Sequence, residues 1–213
     1  MEKQIARYLI IICLLFNIFS CERSNNVIEY KEVPVIINQV DTIIVYVEKD
    51  PRIEDLFIDS LKERLGTKEL TGNNDGEVVK AILLNCGITF PAPWCACFLN
   101  DGLKRIGTEG GPTKDPGWTP NWFKDPNKIV WVRDKDSKKI TFQKGWIGAI
   151  YYRSKGRIGH VFAVVEDTHD GYVITIEGNT DAQGSREGNG VFIRIRNKSE
   201  IYMMADWLSQ YKN

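Results

Sequence analysis

Two cysteines one residue apart sit in the stretch PAPWCACFLNDGLKRIG, residues 91–107. A thiol is a useful nucleophile only as thiolate, so its surroundings must lower its pKa. The pattern after Pro93 predicts a helix whose N-terminus carries Cys95. Unpaired backbone N–H groups and the macrodipole favour negative charge there. The same N–H groups can hold the oxyanion formed when a thiolate attacks a carbonyl. Cys97 points to another side of that helix and reads as a small buried filler. The two side chains diverge and cannot close a disulfide with each other. Zinc would need about four Cys or His ligands, usually with a CxxC-type pair. CxC alone does not supply them.

A cysteine nucleophile needs a base, and the chain has only two histidines. His169 lies in the polar turn THDGY and reads as solvated. His160 opens the strand-like GHVFAVVE, and the next strand-like run ends IEGN, with Glu177 and Asn179. If the two runs pair as a hairpin around HDG, the end carrying Glu177 lies beside the start carrying His160. A carboxylate or amide there can fix the imidazole tautomer and stabilise its charged form. Glu177 and Asn179 share one face of a regular strand, so either can be the orienting group.

The elements that position these residues follow from periodicity. Ile53, Leu56, Phe57, Leu61 and Leu65 recur at helical steps before Gly66, and GEVVKAILLNCG gives a second helix ending at Gly87. Cys86, at that end, reads as packed. CACFLNDGLKRIG is the third helix. TEGGPTKDPGWTPNWFKDPN has the composition of a loop with exposed aromatic rings. IVWVRD, KITFQ, GWIGAIYYRS, GHVFAVVED, GYVITIEGN and GVFIRIR then read as strands, and EIYMMADWLSQY as a closing strand or short helix. Helices first and an antiparallel sheet afterwards make an α+β domain over residues 53–213. In GNTDAQGSREGNGVF a strand follows the glycines where a phosphate-cradling loop needs a helix, which disfavours nucleotide binding.

Residues 1–21 are different material. MEKQIAR is a positive end, and the apolar run after it stops at Cys21, the layout of a secretory signal. IFSC resembles a bacterial lipobox, which makes Cys21 the lipidation site; an uncleaved signal anchor is the alternative. Residues 22–52 read as a tether or stalk, with one or two strands interrupted by Pro34. The mature part retains three cysteines, an odd number that leaves at least one thiol free or paired outside the chain. Lys plus Arg and Asp plus Glu both total 28 of 213 residues, so no basic surface is expected to capture nucleic acid.

Taken together and in order, NDGEVVKAILLNCG, PWCACFLNDGLKRIG, WTPNWF, GAIYYRSKGRIGHVFAVVE and ITIEGNTDAQGSREGNGVF resemble CHAP domains, the cysteine- and histidine-dependent amidohydrolase/peptidase family related to NlpC-type cell-wall peptidases. The likeness covers about residues 53–210. It implies a papain-like fold and a substrate class, the amide bonds of peptidoglycan, cut after muramic acid or within the stem and cross-bridge peptides. It matches Cys95 to the nucleophile, His160 to the base, and Glu177 with Asn179 to the orienting positions. Cys97 departs from the family pattern. Some relatives bind calcium through an acidic loop, but DKDSKK around Asp134 and Asp136 is lysine-rich, so neither metal nor other cofactor is expected. Trp94, Trp118, Trp122 and Phe123 are assigned to the substrate groove, where flat rings can pack on sugar or peptide; core or loop anchoring is the other use of such rings. The expectation is a monomeric cell-envelope lipoprotein that hydrolyses peptidoglycan. The rivals are an exported cell-wall-binding module without catalysis, and a thiol peptidase or transferase acting on an extracellular protein.

Overall fold

The computed structural model describes residues 30–37, 41–48, 50–135, 140–181 and 188–212. Two compact units divide the chain, Met1–Asp50 and Pro51–Asn213. In the first, β1 (Tyr30–Ile37) pairs antiparallel with β2 (Asp41–Glu48). Both are edges of a two-stranded ribbon, which is where a proline such as Pro34 can be accommodated. The proposed signal and Cys21 lie outside the described residues. Among the described residues no helix is long and apolar enough to cross a membrane.

The second unit is α+β. Its helices α1 (Ile53–Lys62), α2 (Glu77–Leu84) and α3 (Cys95–Arg105) come first. Gly66, Gly87 and Gly107 follow them with positive φ, the backbone state that ends a helix without a Cβ clash. α1 is amphipathic and buries Phe57, Ile58, Ser60 and Leu61. It crosses α3 where Gly102 leaves room: a Cβ there would sit 2.4 Å from Leu61 Cδ2. Ser60 Oγ donates to the Gly102 carbonyl across the same contact, 3.0 Å away. Cys95 through Leu103 are all buried, so α3 is the central helix. Its one buried acid, Asp101, accepts from Arg64 Nε at 3.2 Å and Asn85 Nδ2 at 2.6 Å.

Strands β3 (Ile129–Val132), β4 (Ile147–Tyr152), β5 (Arg157–Asp167), β6 (Tyr172–Thr180), β7 (Gly190–Asn197) and β8 (Met203–Ala205) form one antiparallel sheet of order β3-β8-β4-β5-β6-β7. The tail thus supplies a short strand, followed by a turn of 3-10 helix at Ser209–Tyr211. Strand alternation gives the sheet two apolar faces. Ile147, Ala149, Val161, Ala163 and Ile176 pack in one cluster with Phe57, Leu61, Ile82, Phe98 and Leu99. Phe142, Phe162, Val164, Val173, Ile201 and Met204 make a smaller cluster. The hairpin between β5 and β6 turns at HDG, with His169 (φ 62) and Gly171 (φ 98) in the left-handed region.

The described part of KITFQ is not a strand. Its residues 140–143 join no ladder, and the Phe142 amide instead donates to Asp167 Oδ2 at 2.7 Å. The Phe142 ring is held by Trp131, centroid to centroid 5.1 Å. Alternation here reflects one buried ring on a loop.

Candidate active site

Cys95 is the first residue of α3, and Trp94 before it has no side-chain cap on the helix. A side chain from β6 fixes that helix start. The Trp94 amide donates to Asn179 Oδ1 at 3.0 Å. Asn179 Nδ2 donates in turn to the Gly188 carbonyl at 2.8 Å, and to Glu69 Oε1 and Asn74 Oδ1 at 3.2 Å. Glu69 also receives the Trp94 indole N–H at 2.8 Å. Between these anchors Gly178 lets the strand pass under the helix, since a Cβ there would lie 2.7 Å from Phe98 Cβ and 2.8 Å from Trp94 Cζ3.

His160 is placed by a bulge. Ile150 of β4 is opposite His160 while Tyr151 is opposite Ile158, so Gly159 is the extra residue. Bulges re-aim the side chain that follows them. His160 Nε2 lies 2.8 Å from Glu177 Oε2, and both residues are fully buried. Glu177 accepts two further bonds from Arg196, Nε to Oε1 at 2.5 Å and Nη2 to Oε2 at 2.6 Å. Thr175 Oγ1 donates to Oε1 at 2.6 Å. The carboxylate therefore holds the imidazole while a fork of guanidinium N–H groups and a hydroxyl hold the carboxylate.

With Nε2 committed to Glu177, Nδ1 is the ring nitrogen left for the thiol. It is buried and makes no hydrogen bond of full geometry, yet Cys95 and His160 perturb each other strongly. Long or poorly aligned catalytic bonds are common in substrate-free sites. Burial pushes the Cys95 thiol up, but the hydrogen bond and charge of His160, with the Val161 and Ala96 amides, outweigh it and leave the thiol lowered. Burial pulls His160 down; Cys95 and Glu177 reverse that and raise it to about 9. Glu177, despite a burial effect that raises it, is lowered to about 2 by His160 and Arg196. The directions favour the thiolate–imidazolium form of Cys95 and His160, backed by a carboxylate–guanidinium pair, a form in which the four charges cancel. That balance is what a buried cluster of ions requires.

Cys95 opens onto a cavity of about 490 Å³ that is also lined by Phe90, Trp118 and Arg157. The Arg157 guanidinium stacks on the Trp118 ring, 4.2 Å from its centroid, and donates to the Ile158 carbonyl at 3.0 Å.

Several assigned residues stand elsewhere. Asn179 is not an orienting partner of His160. The ladder between β6 and β7 shifts register between Glu177 and Thr180, and Asn179 has φ 54, so strand alternation fails there and its amide turns to Trp94. Trp94 and Trp122 have no exposed surface and Phe123 almost none; they are core anchors, not groove walls. Trp122 reaches the Pro116 carbonyl with its indole N–H and packs edge-on against Trp207 at 5.4 Å. Trp118 alone of the four is substantially exposed, at 45%, and lines the cavity. His169 is solvated, with 71% of its side chain exposed. Asp134 is in the turn after β3, whereas Asp136 and the stretch 182–187 lie outside the described residues. Among the described residues no group of three or more His, Cys, Asp or Glu is disposed to hold a metal ion. Arg196, Thr175 and Glu69 were not anticipated from sequence. The register of β6 against β7 brings in Arg196 and the fold of the 67–76 loop brings in Glu69, whereas Thr175, two residues before Glu177 on the same strand face, was legible from alternation.

The clamp on Trp94 gives a first expectation. Asn179→Ala removes four hydrogen bonds from a buried site. It should lower stability by about 2–3 kcal/mol, read from the denaturant midpoint. The His160 titration should stay in place, because Glu177 is untouched; a shift in the imidazole NMR titration would contradict this division of labour.

Compared with family models, curated proteins and solved structures, the chain matches none. The resemblance to CHAP domains therefore rests on the sequence motifs alone.

Proposed function

We propose that the protein is a thiol-dependent amide hydrolase with a papain-like arrangement, acting on peptide bonds of peptidoglycan. The observation that carries this reading is that His160, hydrogen-bonded to Glu177, acts on the Cys95 thiol, with the sulfur at the wall of a cleft and the two partners buried. A module that only binds has little use for a thiol whose pKa is lowered at a helix start.

In the reaction the Cys95 thiolate attacks the amide carbonyl, forming a C–S bond. The N–H groups at the start of α3 hold the resulting oxyanion. The carbon–nitrogen bond then breaks as the His160 imidazolium gives its proton to the leaving amine. His160, now neutral, takes a proton from water, whose oxygen attacks the thioester and restores the thiolate. Glu177 holds the imidazole through Nε2, so that Nδ1 does the proton transfers. The choice of peptidoglycan rests on the family resemblance. Export and lipidation at Cys21 belong to the same proposal, and loss of radiolabelled palmitate incorporation in Cys21→Ala would test them.

The experiment is incubation of the purified full-length protein with isolated sacculi, followed by mass spectrometry of released fragments and assay of new amino groups. Fragments that appear with wild type and not with Cys95→Ala support the reading and identify the bond cut. Retention of the protein on sacculi without fragments would favour a binding module instead.

The cleft also predicts a preference. Arg157 is held by Trp118 and by the Ile158 carbonyl beside the nucleophile's cavity, a posture suited to a substrate carboxylate. Arg157→Ala should raise KM for carboxylate-bearing stem peptides on the order of tenfold. It should leave kcat nearly unchanged and barely affect amidated peptides. Equal losses on both substrates would remove Arg157 from recognition.

A further inference from the structure

Two thiols near the site have no part in the proposed chemistry. Cys97 is entirely buried in the first turn of α3, and Cys86 lies just past the end of α2, half-buried on the wall of the cavity that Cys95 opens onto. They meet over Gly117. A Cβ on that glycine would lie 3.1 Å from Cys97 Sγ and 3.8 Å from Cys86 Cβ. The two thiols are partners: a hydrogen bond donated to Cys86, together with burial, pushes the Cys97 thiol far up, so that it stays protonated and is not the first of the two to react. Cys95 is shifted the other way: His160 and the Val161 and Ala96 amides favour its charged form.

From this geometry we infer that Cys86 and Cys97 form an intramolecular disulfide when the protein meets a disulfide oxidant, leaving Cys95 as the one cysteine of the domain outside the bridge. The order of events follows from access. Cys86, on the cavity wall, attacks the oxidant's disulfide, which makes a mixed disulfide and releases one thiol. The buried Cys97 sulfur then attacks the Cys86 sulfur; the second half of the oxidant leaves and takes up the Cys97 proton. Two protein thiols are oxidised by two electrons, and one disulfide of the oxidant is reduced to two thiols. The cross-link joins the segment after α2 to the first turn of α3, two residues from the nucleophile. It also removes Cys86 as a partner that could capture Cys95 across the cavity. The odd number of thiols in this domain is thereby resolved into one bonded pair and one reactive sulfur.

The test needs no substrate and does not depend on the hydrolase reading. The full-length protein is treated with oxidised glutathione, unfolded without reductant, alkylated and digested for peptide mapping. The expected result is a peptide pair joined through Cys86 and Cys97, lighter by the two lost hydrogens and cleaved by reductant, with neither joined to Cys95. The oxidised protein should also melt at a higher temperature than the reduced one, a shift that disappears in Cys86→Ser. Alkylated Cys86 and Cys97 after oxidation, or either one bonded to Cys95, would overturn the inference.

Discussion

Replacing Cys95 with alanine is expected to reduce amide cleavage roughly a million-fold, to the uncatalysed background. The size follows from covalent catalysis: without the sulfur no acyl intermediate forms, and the amides at the start of α3 have no attack to stabilise. The fold should persist, because the change removes one small atom at a cavity wall and leaves the Trp94 anchor intact. A substrate-independent readout separates nucleophile from bystander. Cys95 should react with iodoacetamide at pH values well below those at which an ordinary thiol does, because His160 favours its charged form. Cys97, buried and raised, should stay unlabelled in the folded protein. In His160→Ala the low-pH labelling of Cys95 should vanish, since the largest lowering effects are gone and only the Val161 and Ala96 amides then oppose burial. Cleavage that survives Cys95→Ala would remove the sulfur from the mechanism. Labelling of Cys97 ahead of Cys95 would move the nucleophile two positions along the helix.

What the sequence disclosed depended on how local each feature is. The start of α3 was legible because Pro93 and the apolar period after it act within a few residues. The meeting of His160 and Glu177 was legible because one tight turn at HDG dictates which strand ends adjoin. Asn179 was misassigned because a two-residue period was carried through a register shift that no local signal marks. The aromatic loop misled for another reason. Trp122 is buried because Gly111 leaves space beneath its ring and Trp207, far along the chain, closes over it; composition alone does not distinguish an anchor from a rim. β7 inverts the usual expectation outright. Ile193 and Ile195 are exposed while Arg196 points inward, because a carboxylate on the neighbouring strand needs a counter-charge. Such an arginine is found only after strands are paired.

That counter-charge sets up the second large effect. Glu177→Gln keeps the shape of the side chain and removes its charge, leaving the buried Arg196 guanidinium with only the exposed Glu200, 3.4 Å away, as counter-charge. A buried pair broken on one side costs about 3–5 kcal/mol, and the variant should lose stability of that order. Cleavage should fall as well, because the imidazolium loses its support and with it the thiolate. A companion variant distinguishes the two losses. Glu177→Gln combined with Arg196→Met removes both charges and should recover much of the stability while activity stays low, since the backing of His160 is still missing. The pH dependence carries the same signature. Glu177 is held at about 2, below its ordinary 4.5, so its contribution is complete above 4.5 and is lost as the pH falls from there toward 2. His160 is held at about 9, above its ordinary 6.5, so its contribution is complete below 6.5 and is lost as the pH rises through 9. Denaturant unfolding across pH should therefore show wild-type stability level between 4.5 and 6.5 and falling on both sides. In Glu177→Gln the acid limb should flatten, and the alkaline limb should end at lower pH with a smaller total loss, because the imidazolium has lost its carboxylate. An acid limb as steep in the variant as in wild type would place the source of that pH dependence outside the Glu177 cluster.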